Sequence, residues 1–290
     1  MPTPRKPKRA VEKCIFCKAE AEITAEHLLS KRFHRLIPQT ATGFKVLRSV
    51  EYINHSTFAP GKFNGDPRHW KIKSVCEKNC NNGWMRTLEE RIDNLLAALF
   101  TGDELRLTED DLTSLATWAA MKAVVLDSID PKDATTHHMQ RYALYRNQRP
   151  PSSGWAVWIG HHPRKEQDMV YRSAPFLVAP KNMPAERPPY LATHFNASII
   201  SYVVGELFVQ VVHAPKPFGI EKWTYPRLPN GGSLRRIWPL PSFQVAWPPA
   251  PMNDHDVGVA FNLFRGRIVR GIRERAAKSK LGDVHGRGLF

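Results

Sequence analysis

The chain has 290 residues, 42% of them apolar, and 42 Lys+Arg against 27 Asp+Glu for a formal charge of +15. That length corresponds to about two ordinary domains and the apolar content can fill a core, which excludes a fibrous or wholly disordered chain. The positive surplus points to a polyanionic partner rather than a neutral metabolite, because contacts to phosphates release condensed counterions. The charge is unevenly spread. Residues 1–100 hold 18 basic and 10 acidic side chains, and residues 101–150 hold 6 and 8. A further basic concentration runs through Arg265, Arg267, Arg270, Arg273, Arg275, Lys278 and Lys280.

In chain order, residues 1–13 read as a disordered basic arm without the apolar region or cleavage site of a signal peptide. Residues 14–100 carry all four cysteines. Within them Asn82–Phe100 reads as a helix with Leu88, Ile92, Leu95, Leu96 and Leu99 on one face, ended by Thr101-Gly102-Asp103. A helical region spans 101–150. Its first helix is expected over Glu109–Ser128, N-capped by Thr108, with Glu109, Asp110 and Asp111 favouring the positive end of the helix dipole. The next is expected over Ala134–Arg146 and ends before Pro150-Pro151.

After Pro151 the pattern changes. Trp155–Ile159, Met169–Arg172 and Ser198–His213 are rich in β-branched and aromatic residues, and Gly205-Glu206 suits a two-residue hairpin turn. Residues 151–260 therefore read as a β-rich domain whose core takes Trp155, Trp158, Trp223, Trp238 and Trp247, and residues 261–290 as a basic helix and tail. The expected class is α+β. The longest apolar run, Ser198–Val212, is interrupted by Gly205, Glu206 and Gln210 and cannot span a bilayer. A cytoplasmic protein without a membrane partner is the expectation.

Cysteines in a reducing compartment are more often metal ligands than disulfides. Cys14-Ile15-Phe16-Cys17 and Cys76-Glu77-Lys78-Asn79-Cys80 form two short-spaced pairs. Such pairs present soft thiolates from two turns, which is what tetrahedral zinc takes in a structural site. The second pair has three intervening residues where two are usual. Between the pairs lies Thr24-Ala25-Glu26-His27-Leu28-Leu29, and Asn81 follows Cys80 directly.

The order of these features over residues 14–90 resembles the HNH (ββα-metal, His-Me finger) endonuclease family, in its zinc-anchored branch. The resemblance implies an N-terminal ββα-metal module that hydrolyses phosphodiester bonds. By position it implies that His27 is the general base, that Glu26 is a ligand of a catalytic divalent ion, Mg²⁺ or Mn²⁺, and that Asn81 is the second protein ligand. The chemistry is consistent: a hard ion takes oxygen donors, and an imidazole titrating near neutrality suits a base. The chain departs from the pattern in having Glu where Asp is commoner. The wider second pair leaves Asn79 and Asn82 as alternatives to Asn81, and Lys71 stands about where many members have a middle Asn.

Lys31, Arg32, His34 and Arg35 after the Glu-His pair, with Lys78 and Arg86 near the second, are candidates for nucleic-acid phosphates. His55 falls in a stretch, Thr40–Pro67, read as a long loop able to close over substrate, and His69 and Trp70 follow directly after it. His137-His138 and His161-His162 read as surface pairs, and Asp254-His255-Asp256 as a polar loop. The sequence expectation is a metal-dependent hydrolase cutting DNA in preference to RNA. The C-terminal domain is then available to a protein partner or a second copy. The alternatives are a non-catalytic zinc-knuckle nucleic-acid-binding or regulatory protein, or an RNA-directed nuclease.

Overall fold

The computed structural model describes residues 12–36, 43–52, 55–64, 71–129, 134–163, 170–176, 196–216, 219–225 and 227–262. For residues 43–52 and 55–64, Arg32 and Cys76, among others, the description is of the backbone alone. Residues 1–11 of the basic arm, His69, Trp70 and the Arg/Lys-rich tail beyond residue 262 lie outside the described residues.

The chain begins with a short hairpin, β1 (Glu12–Lys13) and β2 (Glu20–Ala21), followed by β3 (Ile23–His27) and a 3₁₀ turn over Lys31–Leu36. Next come β4 (Gly43–Tyr52), β5 (His55–Asn64) and β6 (Lys71–Cys76). A π-type helical segment, Glu77–Met85, leads into α1 (Arg86–Arg91) and α2 (Asp93–Thr101). The single helix expected over 82–100 is thus broken at Ile92, whose φ of −104° and ψ of 16° leave the helical range. Its apolar face survives the break, with Leu88, Ile92, Leu96 and Leu99 all buried. Gly102, with φ of 76°, closes α2 in the left-handed conformation that glycine adopts without strain.

After β7 (Leu105–Leu107), α3 (Glu109–Asp127) starts where expected. Thr108 Oγ1 accepts from the Asp111 amide at 3.1 Å and Asp111 Oδ2 accepts from the Thr108 amide at 2.9 Å, a reciprocal cap. Every residue of α3 from Ser114 to Asp127 is buried, so this helix lies inside the molecule and not on its surface. α4 covers His138–Asn147, four residues shorter at its start than expected.

The remaining strands are β8 (Trp155–His161), β9 (Val170–Phe176), β10 (Ala197–Val204), β11 (Leu207–His213), β12 (Leu234–Trp238) and β13 (Val245–Trp247). A seven-stranded sheet runs β12-β8-β11-β10-β9-β4-β5. Its pairs are antiparallel except β4 with β9, which is parallel. Gly205-Glu206 forms the expected turn between β10 and β11, with Gly205 at φ of 58°. The stretch read as a loop, 40–67, instead contains the β4–β5 hairpin, ten register pairs long, from Gly43↔Asn64 to Tyr52↔His55. Its Pro60, Gly61 and Gly43 concealed a strand pattern that backbone pairing to β9 completes. Both α-helices and β-sheets are present, as the α+β expectation requires.

The central strands β8, β10 and β11 are buried on both faces. One face, with Val157, Ile159, Ile200, Tyr202, Val209 and Val211, shares a core with α3 and with Cys14, Phe16, Val75 and Leu96 of the N-terminal segment. The other face, with Ala156, Trp158, Ile199, Phe208 and Val212, packs against Ile220, Leu228, Met252 and Phe261. The alternation along each strand is the period-two pattern of a sheet held between two layers. The expected core tryptophans at 155, 158, 238 and 247 are buried, and Trp223 is half-buried.

Two sequence readings change here. His162 is buried, with Nδ1 at 2.8 Å from the Met252 carbonyl and Nε2 at 3.3 Å from Asp254, and His161 pairs with Glu206 at 2.7 Å. They are ordering contacts at the end of β8 and not a surface pair. Asp256 lies in the first turn of the helical residues 254–262 and is fully buried, where Oδ1 accepts from the Asn230 amide and Oδ2 from that of Gly232. His137-His138 is exposed, as expected, and His137 caps α4.

At the far end of α3 a closed polar group joins helix to sheet. Asp127 accepts from the amides of Thr135 and Thr136 at 2.8 Å each and from the Thr135 hydroxyl at 2.9 Å. Since that hydroxyl proton goes to Asp127, the 2.7 Å contact to His213 is Nε2–H donating to Thr135. His213 Nδ1 is then the deprotonated nitrogen, and it has no partner among the described residues. Burial depresses the His213 pKa to about 4, with only the charge of Asp127 opposing. A depressed folded pKa supplies stability that is present above the unfolded value and lost as pH falls through the folded one. Between pH 6.5 and 4 this residue should therefore withdraw about 3 kcal/mol, and urea melts of His213→Gln should show a flatter pH dependence there than wild type.

Candidate functional site

The site is assembled from the first knuckle, strand β3, the helical segment after β6, and α3. In the first knuckle the Cys14 amide donates to the Ala19 carbonyl at 3.0 Å and the Lys18 amide to the Cys14 carbonyl at 3.1 Å. Lys18 turns the chain with φ of 61°. Phe16 is driven inward and meets Trp84 edge-to-face at 5.2 Å, which joins the knuckle to the residues that follow Cys80.

The sulfurs of Cys14, Cys17 and Cys80 lie within 4.8 Å of one another, with Cys14 and Cys80 at 3.5 Å. Thiolates around tetrahedral zinc, with Zn–S of about 2.3 Å, are about 3.8 Å apart. Three soft donors at this spacing can hold a metal ion, and zinc is compatible with them. The Cys76 backbone ends β6, immediately before this cluster, and its side chain lies outside the described residues.

β3 pairs antiparallel with β6, from Ile23↔Cys76 to His27↔Lys71, and the helical segment follows β6 without a gap. Asn81, in that segment, donates from Nδ2 to Thr24 Oγ1 at 3.0 Å, and Thr24 in turn donates to the Val75 carbonyl at 3.2 Å. Asn81 Oδ1, the oxygen a cation would use, accepts no hydrogen bond among the described residues. Asn82 is exposed and Asn79 is exposed. Thr24 is three residues before His27, roughly 10 Å along an extended strand.

His27 is the last register pair of its strand, opposite Lys71. Its ring is part-exposed, and Nε2 is shielded with no hydrogen-bond partner among the described residues. Burial lowers its pKa first, and Lys71, Lys31, His34 and Lys122 add to the effect in that order. The imidazole is therefore held neutral among cations, a combination suited to accepting a proton beside a phosphate.

Glu26 is turned the other way, since neighbours on an extended strand face opposite sides. It is 5% exposed, and its Oε1 accepts from Lys122 Nζ at 2.7 Å. Lys122, 1% exposed, also donates to the His27 carbonyl at 3.0 Å and lies 2.8 Å from Glu89 Oε1, a close ion pair off the hydrogen-bonding direction. Two carboxylates around one ammonium leave a surplus negative charge. Accordingly burial raises the Glu26 pKa more than Lys122 lowers it, Glu89 adding to the rise, while the two carboxylates hold Lys122 charged well above its usual range. The expected ligand of a catalytic ion is thus already bound to a side-chain cation. Glu26 and Asn81 do not form an open pair of oxygen donors, and a hard ion with several waters does not fit at the Glu26 carboxylate.

No family model, curated protein or solved structure matches the chain.

The other sequence candidates divide. Lys31 and Arg35 lie exposed on the turn after β3, and Lys31 is close enough to lower the His27 pKa; the Arg32 side chain is outside the described residues. Lys78 is exposed, whereas Arg86 is exposed but engages Glu90 at 2.8 Å. Sequence reading missed Lys71 as the cross-strand neighbour of His27, and it missed Lys122 altogether. The signal for Lys122 was present: a lone lysine within Leu115–Leu126, a helical run otherwise built of apolar and small residues and Thr117. No helix among the described residues is long and apolar enough to cross a membrane.

Proposed function

We propose that this chain is a metal-dependent endonuclease of the HNH type that hydrolyses phosphodiester bonds in nucleic acid, DNA in preference to RNA, with a divalent ion that the Glu26 carboxylate does not hold. The observation that carries the reading is His27: a part-exposed imidazole at a strand end opposite Lys71, its pKa lowered by burial and by the charges of Lys71, Lys31 and His34, on a strand–strand–helix unit tied to a three-thiol cluster. In this reading His27 accepts the proton of the attacking water, while Lys31 and Lys71 hold the phosphate oxygens on either side and offset the charge that develops on them. Cys14, Cys17 and Cys80, with Cys76 as the fourth donor the spacing implies, would hold a structural zinc that fixes the unit.

Purified protein incubated with supercoiled plasmid and Mg²⁺ or Mn²⁺ should nick it, and EDTA should stop the reaction. A base must be unprotonated to act, so the rate should fall on the acid side with a midpoint below 6.5, the ordinary histidine value, because the His27 pKa is lowered. Competition with RNA substrates decides between the two nucleic acids.

One observation favours a second reading, a zinc-held nucleic-acid-binding protein without catalysis: the Glu26 carboxylate is occupied by Lys122. That reading predicts salt-sensitive DNA binding and no nicking with any divalent ion.

A further inference from the structure

Lys122 is the one lysine in the buried stretch of α3, and nothing in the chemistry assigned to His27 uses it directly. Burying an ammonium is costly unless it is paired on every side. Here the ammonium donates to two oxygens on β3, Glu26 Oε1 and the His27 carbonyl, and is ion-paired with a third, Glu89 Oε1 on α1. The position of these contacts matters as much as their number. His27 is the final pair of the β3–β6 ladder, beyond which the chain turns through Leu28 and Leu29, so the ladder restrains it from one side only. The bond from Lys122 to the carbonyl of His27 itself, with the adjoining bond to Glu26, fixes the backbone on which the imidazole is mounted.

We propose that Lys122 is a positioning residue for His27, its buried ammonium making Glu26 a strut of β3 and not a ligand for a divalent ion. The inference rests on the reading of His27 as the reacting base and adds how that base is held. It differs from what the Glu-His motif implies, since it moves Glu26 from ion binding to support.

The test uses the full-length protein and three measurements. In plasmid cleavage, Glu26→Gln should lower kcat by about tenfold or more with KM for DNA changed less than about twofold, because misplacing a reacting group costs rate and not binding. Mn²⁺ binding followed by electron paramagnetic resonance, at the Mn²⁺ concentrations that support cleavage, should be the same in Glu26→Gln as in wild type. Binding weakened about tenfold or more by the loss of one carboxylate would make Glu26 a ligand and overturn the proposal. Lys122→Met alone leaves two buried carboxylates unpaired and can fail to fold, so the second variant is the neutral set Lys122→Met, Glu26→Gln, Glu89→Gln. It should fold, lose kcat as Glu26→Gln does, and exchange the amides of residues 26–28 about tenfold faster than wild type, as expected when local opening is eased. Unchanged exchange at those amides removes the clamp. Should wild type cleave nothing, the nuclease reading fails, yet the exchange comparison still decides whether Lys122 holds this strand end.

Discussion

Stripping metal from the protein with a strong chelator, or replacing Cys80 by Ala, is expected to unfold the N-terminal unit while the seven-stranded sheet persists. Structural zinc in small thiolate sites contributes about 10–16 kcal/mol of apparent binding energy at neutral pH, which is folding energy where the site does not preform. The expected dependence of the N-terminal unit on such a metal has a physical reason. β1 and β2 have two residues each and β3 has five, too few backbone pairs to hold a fold. Their apolar residues, Phe16, Ile23, Leu28 and Leu29, reach the common core only if Cys14 and Cys80 are drawn together. The central strands β8, β10 and β11 have their own long ladders and a second core on the far face, so they should outlast the metal. Amide exchange before and after chelation checks this. Lost protection over residues 12–30 and 71–91 with retained protection over 155–161 and 197–213 is the expected pattern. Uniform protection throughout would mean that the cluster holds no structural metal.

Lys122→Met should cost about 3–5 kcal/mol of stability at neutral pH, the range for breaking a buried pair by removing one partner. The pH dependence follows from the partners. Glu26 has its pKa raised in the folded state, by burial first, so its protonated form is the one the fold favours. The stability associated with that form is present below the unfolded value near 4.5 and lost as pH rises through the folded value. For Lys122, raised above 10.5 by Glu26 and Glu89, the favourable pairing is fully present below 10.5 and lost only at higher pH. Removing the ammonium therefore hurts most where the carboxylates are ionised. Urea denaturation should show the variant's deficit shrinking as pH is lowered from 7.5 to 5. A deficit constant with pH would mean that the loss is one of packing and not of charge.

Much of the fold was legible where local chemistry decides it. Thr108 and the three acidic residues after it define the start of α3, and Gly205-Glu206 between two β-branched runs defines the β10–β11 turn. Both depend on neighbours in sequence, and both appear where expected. The long hairpin β4–β5 was not legible, because it is completed by a parallel partner more than a hundred residues away, β9. The helix expected from 134 begins only at His138 for a similar reason: Thr135 and Thr136 bond to Asp127 and His213 and so stay out of the helix.

The site divides along the same line. Spacing alone brought together Cys14, Cys17 and Cys80, since paired cysteines in short turns have few other uses. The Glu-His dipeptide identified two adjacent residues, but it could not tell which would face water. That is decided by Lys122, 96 residues from Glu26, through a contact that no local pattern encodes. A charged residue placed within an apolar helix was the one sequence sign that such a partner existed.

The role of His27 as a base is measured most directly by cleavage with His27→Ala in the plasmid assay. With zinc content and thermal stability matching wild type, the variant should cut about 10²–10⁴-fold more slowly, the usual worth of a general base. Cleavage at the wild-type rate would mean that His27 is not the base.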